Sequence, residues 1–362
     1  MAKIKAFLKR KDVVLSAKRY GIDALGAMAQ GLFCTLLVGT ILNTLGQMGV
    51  GFLNQVIVTI QQNENTVTYT IGGLASAMVG PGIAVAIGMA LHAPGMVLFS
   101  LIPVGFAANA MGGAGGPLAV YFVAIAAAEC GKLVSKETKV DILVTPVVTI
   151  LAGVGIAALI AAPIGKAASA VGEFVEWATV LQPFWMGILV SVVMGIALTL
   201  PISSAAICAA LGLTGLAGGA AVAGCCAQMV GFAVMSFREN RWGGLVAQGI
   251  GTSMLQMPNI MKNPRIWIPP ILASAITGPL ATCLFHLKMN GAPVSAGMGT
   301  CGLVGQIGVY TGWVSTGHVI TPMDWIGLAL ICFVLPGIFS WLFAQLLRKW
   351  GWIQKDDLKL NL

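Results

Sequence analysis

Asp141-Ile142-Leu143-Val144-Thr145-Pro146-Val147-Val148-Thr149-Ile150-Leu151-Ala152-Gly153-Val154-Gly155-Ile156-Ala157-Ala158-Leu159-Ile160-Ala161-Ala162-Pro163 carries no charge after its first residue. As a helix rising ~1.5 Å per residue it is long enough to cross the ~30 Å hydrocarbon of a bilayer. Lys132, Lys136 and Lys139 precede it, and Lys166, Glu173 and Glu176 follow. Outward from there the pattern repeats, with uncharged runs at 24–63, 65–128, 177–237, 266–287, 289–323 and 325–347. Each span needs ~20 apolar residues, so these runs predict an all-α, polytopic membrane protein of about ten spans. Only 9% of the 362 residues are charged, against about 25% in soluble globular chains. Soluble enzymes and nucleic-acid binders are excluded together.

The formal charge is +8, and its placement is informative. Lys3, Lys5, Lys9, Arg10, Lys11, Lys18 and Arg19 crowd the start, and Arg348, Lys349, Lys355 and Lys359 follow the last apolar run. Flanking Lys and Arg stay on the cytoplasmic side, so both termini are expected there with an even number of spans. A basic arm beside a span holds anionic lipid headgroups rather than nucleic acid. The apolar run 22–46 exceeds a signal-peptide core and no small-x-small site closely follows it, so it is read as a first span rather than a cleaved leader. The 8 cysteines form no C-x-x-C pair and read as buried small hydrophobes.

The expected organisation begins with a basic interfacial helix at 1–20, in which Ile4, Phe7, Leu8, Val13, Val14 and Leu15 oppose the lysines. A membrane subdomain follows at 21–163, with the cation-free polar stretch Gln61-Gln62-Asn63-Glu64-Asn65 read as an outside loop. Residues 164–182 are an amphipathic linker helix carrying Phe174, Trp177, Glu173 and Glu176. A second membrane subdomain spans 183–347, and 348–362 form a cytoplasmic tail. Leu74-Ala75-Ser76-Ala77 with Gly80-Pro81 recurs as Leu272-Ala273-Ser274-Ala275 with Gly278-Pro279, in the manner of an inverted repeat.

Helix breaks in hydrocarbon strand backbone polar groups, and such breaks survive where protein buries them or where they line a polar cavity. Scattered glycines such as those at 212–224 fit close helix packing. At 243–259 and 290–306 glycine accompanies Gln, Asn, Thr and Ser, which predicts two re-entrant, substrate-facing hairpins. Side-chain amides donate and accept together and so suit hydroxyl recognition. The expected solute-binding residues are Gln248, Thr252, Ser253, Gln256 and Asn259, then Asn290, Gln306 and His92. Replacing Gln256 or Asn259 with Ala is expected to abolish binding without moving the melting temperature. Ionisable groups inside apolar runs are functional candidates. Among these Glu129 is read as a binding group or as the i,i+3 ion-pair partner of Lys132, and His92 as a hydroxyl ligand or a packing histidine. No Walker sequence, Ser/His/Asp set or paired metal carboxylates are present. The chain is expected to be a transporter without catalytic residues, metal or cofactor.

Arg241-Trp242-Gly243-Gly244-Leu245-Val246-Ala247-Gln248-Gly249-Ile250-Gly251-Thr252-Ser253-Met254-Leu255-Gln256-Met257-Pro258-Asn259 continues into Asn263-Pro264-Arg265-Ile266-Trp267-Ile268-Pro269-Pro270. With Gly297-Met298-Gly299-Thr300-Cys301-Gly302-Leu303-Val304-Gly305-Gln306 and Lys139-Val140-Asp141-Ile142-Leu143-Val144-Thr145-Pro146, it resembles the IIC membrane subunit of the bacterial phosphoenolpyruvate-dependent sugar phosphotransferase system, in its second IIC family. The resemblance implies a glucose-superfamily fold in the bacterial inner membrane. Its parts are a scaffold subdomain that dimerises, an amphipathic linker, and a transport subdomain that carries a sugar-like solute as an elevator. Phosphocarrier IIA and IIB functions would lie on separate cytoplasmic proteins, docking near Arg238–Arg265, because this chain has no room for them. Relatives hold the sugar with a His and a hairpin Glu. Here Gln256, Asn259 and Gln306 occupy the comparable polar contexts. A second reading is a membrane sensor or regulator that keeps the permease fold and moves nothing. Ala/Gly-dense stretches at 72–90 and 151–162 are the expected homodimer surface.

Overall fold

The computed structural model describes residues 2–14, 16–47, 49–62 and 65–360. The expected loop tip Asn63-Glu64, Leu15 and the side chain of Ile4 lie outside the described residues. The chain is 79% helical and packs as two units, one of residues up to Gly39 with Asn54–Ala167, the other of Thr40–Leu53 with Ala168 onward.

In the first unit, helix Ala2–Arg10 ends in a turn and the first span begins at Arg19. The run Gly95–Val134 is uncharged up to Glu129 and folds back where Gly113 adopts φ +51°. Its arms, Gly95–Gly112 and Gly116–Val134, run antiparallel, because a Cβ on Gly131 near the end of one would meet Val97 at the start of the other. Helix Val79–Ala90 packs on them through Gly80 and Gly105, where a Cβ on either residue would strike the other's carbonyl. Small residues permit this backbone approach, which is how helices associate without a hydrophobic driving force between them. Ile83, Ile87, Leu101 and Val104 form the fully buried centre.

One feature departs from the all-α expectation for this unit. The polar stretch is an antiparallel hairpin, Val58–Gln62 against Asn65–Tyr69, with Ile60 opposite Val67. The alternation of Val58 and Ile60 and of Val67 and Tyr69 is the strand signal. The span from Asp141 does not stop at Pro163. It continues as one helix to Thr179, so 164–182 is mostly its second half, and the unit boundary after Ala167 falls inside it.

The second unit is built around helix Gly215–Met235, in which 18 of 21 residues are buried. Apart from Gln228 its residues are apolar on every side, the composition of a helix with neighbours all round. Gly224 lies against the backbone of Ser191 in helix Pro183–Thr199, and Gly231 against Ser340 in the last helix, Pro322–Lys349. Gly278, in helix Pro264–Leu284, meets the carbonyl of Gly187 as closely.

Among the described residues six helical stretches are long and apolar enough to cross a membrane, the folded-back Gly95–Val134 counted as one, or seven if the pair Ile71–Ala77 and Val79–Ala90, bent by 53°, is a further span. The expectation of about ten spans rests on the lengths of uncharged runs. Breaks inside them leave pieces such as Ser204–Ala210 and Val304–Ser315, too short to span. Both polar Gly-rich stretches are broken. The first passes through π and 3-10 turns at Ala247–Gly251 and Ser253–Gln256 to the short helix Met257–Lys262. In the second, Gly299, Gly302 and Leu303 all take positive φ before helix Val304–Ser315 begins.

The segment after Lys349, read from sequence as a tail, has no helix or strand of its own and folds into the core of its unit. Ile353 and Leu358 are buried with Phe232, Met235, Met257, Ile260 and Ile266. Burying a Leu side chain contributes about 1.5–3 kcal/mol.

Candidate functional site

The buried helix Gly215–Met235 carries polar clusters at each end and in its middle. Its length is about 30 Å at ~1.5 Å per residue, comparable to the hydrocarbon thickness.

At the Met235 end the amides form a ladder. Gln248 donates to Ser236 Oγ and to the Gly244 carbonyl, both at 2.9 Å, and its Oε1 accepts from Gln256 Nε2 at 2.8 Å. Gln256 Nε2 also donates to the Leu358 carbonyl at 3.0 Å, while its Oε1 accepts from Asn259 Nδ2 at 2.8 Å. Asn259 reaches the Lys359 carbonyl at 2.9 Å, and Asn240 reaches that of Leu358 at 2.7 Å. Gln248 and Gln256 are fully buried and Asn259 nearly so. An amide kept from water needs such partners, and here the partners include the folded-back main chain.

In the middle, Gln228 Oε1 accepts from Trp267 Nε1 at 2.9 Å and from Thr199 Oγ1 at 3.3 Å. Thr199 Oγ1 lies 2.9 Å from Ser253 Oγ. Thr252 is extended, and its hydroxyl accepts from Met254 N at 3.2 Å, starting the next turn. Gln306 Nε2 donates to Cys226 Sγ at 3.2 Å. Gln306 Oε1 is buried with no protein partner.

At the Gly215 end, Asn290 Oδ1 accepts from Gly215 N at 3.2 Å and lines a cavity of about 380 Å³ with His286, Lys288, Trp313, His318 and Asp324. Asp324 is fixed by the amide and hydroxyl of Thr321, at 2.8 and 2.7 Å, and holds His318 Nε2 at 3.2 Å. Trp313 packs edge-on against Trp325, with ring centroids 5.5 Å apart. An indole face beside groups that donate and accept matches the C–H faces and hydroxyls of a sugar.

His92 and Glu129 lie in the first unit and belong to a different cluster. Arg19 clamps Asp12 with two hydrogen bonds, at 3.0 and 2.6 Å, and His92 Nδ1 stands 3.2 Å from the same carboxylate. The guanidinium of Arg19 pulls Asp12 down to about 2, against partial desolvation and with a lesser contribution from His92. Lys132 is buried and donates to the carbonyls of Asp12 and Leu91, at 2.7 and 3.0 Å. Its ion pair with Glu129, at 3.1 Å, is the i,i+3 pairing. Lys11 and Arg10 bind Glu137, so the basic arm is tied to the loop at 135–137.

The sequence-predicted residues are thus distributed: Gln248, Gln256 and Asn259 come together, Thr252 and Ser253 sit beside them toward Gln228, and Gln306 and Asn290 are placed further along the helix. Gln228, Thr199, Asn240, Trp313 and the carbonyls of 358–359 were missed. An amide deep inside the uncharged run 177–237 was a signal for Gln228.

Comparison with protein families matches residues 22–360 to the EIIC subunit of the phosphotransferase system. The chain belongs to the EIIC family. No curated protein and no solved structure matches. EIIC subunits are the sugar-specific membrane permeases of that system, and the match extends over both packing units of the chain. All three polar clusters on the buried helix fall within the EIIC match.

Proposed function

We propose that this EIIC subunit takes a small polyhydroxylated solute, a sugar or sugar derivative, and carries it by elevator-type alternating access. In this reading the second unit is the transport body, with re-entrant hairpins at 243–259 and 290–306 and a solute path along the polar groups of helix Gly215–Met235. The cavity formed by Trp313, His318, Asp324, Asn290, His286 and Lys288 carries the reading, because it joins an aromatic side chain to hydroxyl-recognising groups in one pocket. The protein works as a homodimer through the first unit, in the inner membrane with both ends cytoplasmic. Phosphoryl transfer is supplied by separate IIA and IIB proteins.

Counterflow into liposomes, screened with radiolabelled sugars and polyols, tests the proposal. At least one solute should exchange, and His318→Ala should weaken its binding about tenfold, the equivalent of one good polar contact. The melting temperature should not move, since His318 is half exposed. The closed amide ladder at the Met235 end favours one other reading, a sensor on the permease fold. Binding without counterflow for any bound solute would establish it.

A further inference from the structure

Three amides converge on residues 358–360, in the segment that follows the last helix. The Leu358 carbonyl accepts from both Asn240 Nδ2 and Gln256 Nε2, at 2.7 and 3.0 Å, which uses both lone pairs. The Lys359 carbonyl accepts from Asn259 Nδ2 at 2.9 Å, and Leu360 N donates to Asn240 Oδ1 at 2.8 Å. Asn240 therefore receives and gives a hydrogen bond at once, as it would with a hydroxyl. The segment has no ladder of its own. It is held by these side chains, by Asn263 on the Trp352 carbonyl and Asp357, and by the buried Ile353 and Leu358. Segments without regular structure open at lower free energy than packed helices.

We propose that residues 352–360 are a built-in occupant of a solute site. The carbonyls of Leu358 and Lys359 stand where hydroxyl oxygens of the solute would accept from Asn240, Gln256 and Asn259. Segment and solute exclude each other, and the site opens only when the segment leaves. This rests on the reading that these amides bind a polyhydroxylated solute. A protein whose competent state is partly populated binds more weakly by that fraction, so loosening the segment tightens binding.

The test uses the full chain in nanodiscs with radiolabelled D-glucose, N-acetylglucosamine and D-mannitol. Asp357→Ala removes the contacts to Asn263 Nδ2 and Gln354 N without touching the three amides, and Leu358→Ser removes the apolar anchor. Both should bind a probe roughly tenfold tighter than wild type. Hydrogen exchange in wild type should show 353–360 losing protection when the probe is saturating. Binding to wild type with unchanged exchange at 353–360 and unchanged affinity in both variants overturns the occupant while leaving the permease reading intact. Gln256→Leu and Asn259→Leu binding as well as wild type overturns the amide site itself. No binding by any form overturns both.

Discussion

Gln256 uses every part of its side-chain amide: Nε2 serves Gln248 and the Leu358 carbonyl, and Oε1 serves Asn259. Truncating it strands three buried groups, each of which costs about 1–3 kcal/mol when unsatisfied. Gln256→Ala should therefore lower the detergent melting temperature clearly, a loss of at least about 1 kcal/mol, where sequence reasoning expected none. The geometry makes the residue a structural member of the ladder as well as a candidate ligand, so its effect on binding must be read beside that loss. Asp12 offers a residue-level test in pH. Its folded value of about 2 lies below the ordinary carboxylate value of about 3.9. A depressed acid stabilises the fold above its unfolded pKa, and the contribution fades as pH falls toward the folded one. The clamp on Arg19 should hold from neutrality to about pH 4 and loosen between about 4 and 2. Proteolysis of the arm, slow at pH 7, should speed up across that window, and Asp12→Asn should show the fast cutting already at pH 7.

At the scale of elements, glycines divide by what surrounds them. A Cβ on Gly224 would collide with the Ser191 backbone, which cannot rotate away, so Gly224→Val should destabilise the second unit by about 1–3 kcal/mol or stop it folding. Gly243, with open space around it, should accept Ala at no cost or gain up to about 1 kcal/mol. Thermal melting of the pair reads the contrast. Much of this was legible. Uncharged runs marked the long apolar helices, and Gly with Gln, Asn and Ser marked where 247–262 and 293–303 break. The recurring Leu-Ala-Ser-Ala…Gly-Pro gave each unit one glycine, Gly80 and Gly278, at a close helix crossing. Other elements were not legible, for physical reasons. The hairpin at 58–69 hid because its strands are polar on one side and were read as loop. The fold-back of 350–360 depends on bonds such as Asn259 to Lys359, between residues one hundred apart. No local pattern encodes them.

The whole chain exposes a long apolar surface in its first unit: Leu151 and Leu159 on helix Asp141–Thr179 are 69% and 76% exposed. Cysteines placed singly at these positions, in a background with the exposed Cys34 and Cys283 replaced, should cross-link copies in membranes. Cysteines at 243–259 should not, and cross-linking there instead would refute a dimer through the first unit. The division of the chain has a consequence for its synthesis. Residues 40–53 pack with the second unit, yet they are translated before 54–167, which belong to the first. They must wait on the ribosome's schedule, inserted early and completed late, until Ala168 and its successors arrive. Loops closed over such distances slow folding. Once Ala167 has left the ribosome, and before its successors have, the chain holds one complete unit and one orphaned strip, and that strip is where membrane quality control should first take hold.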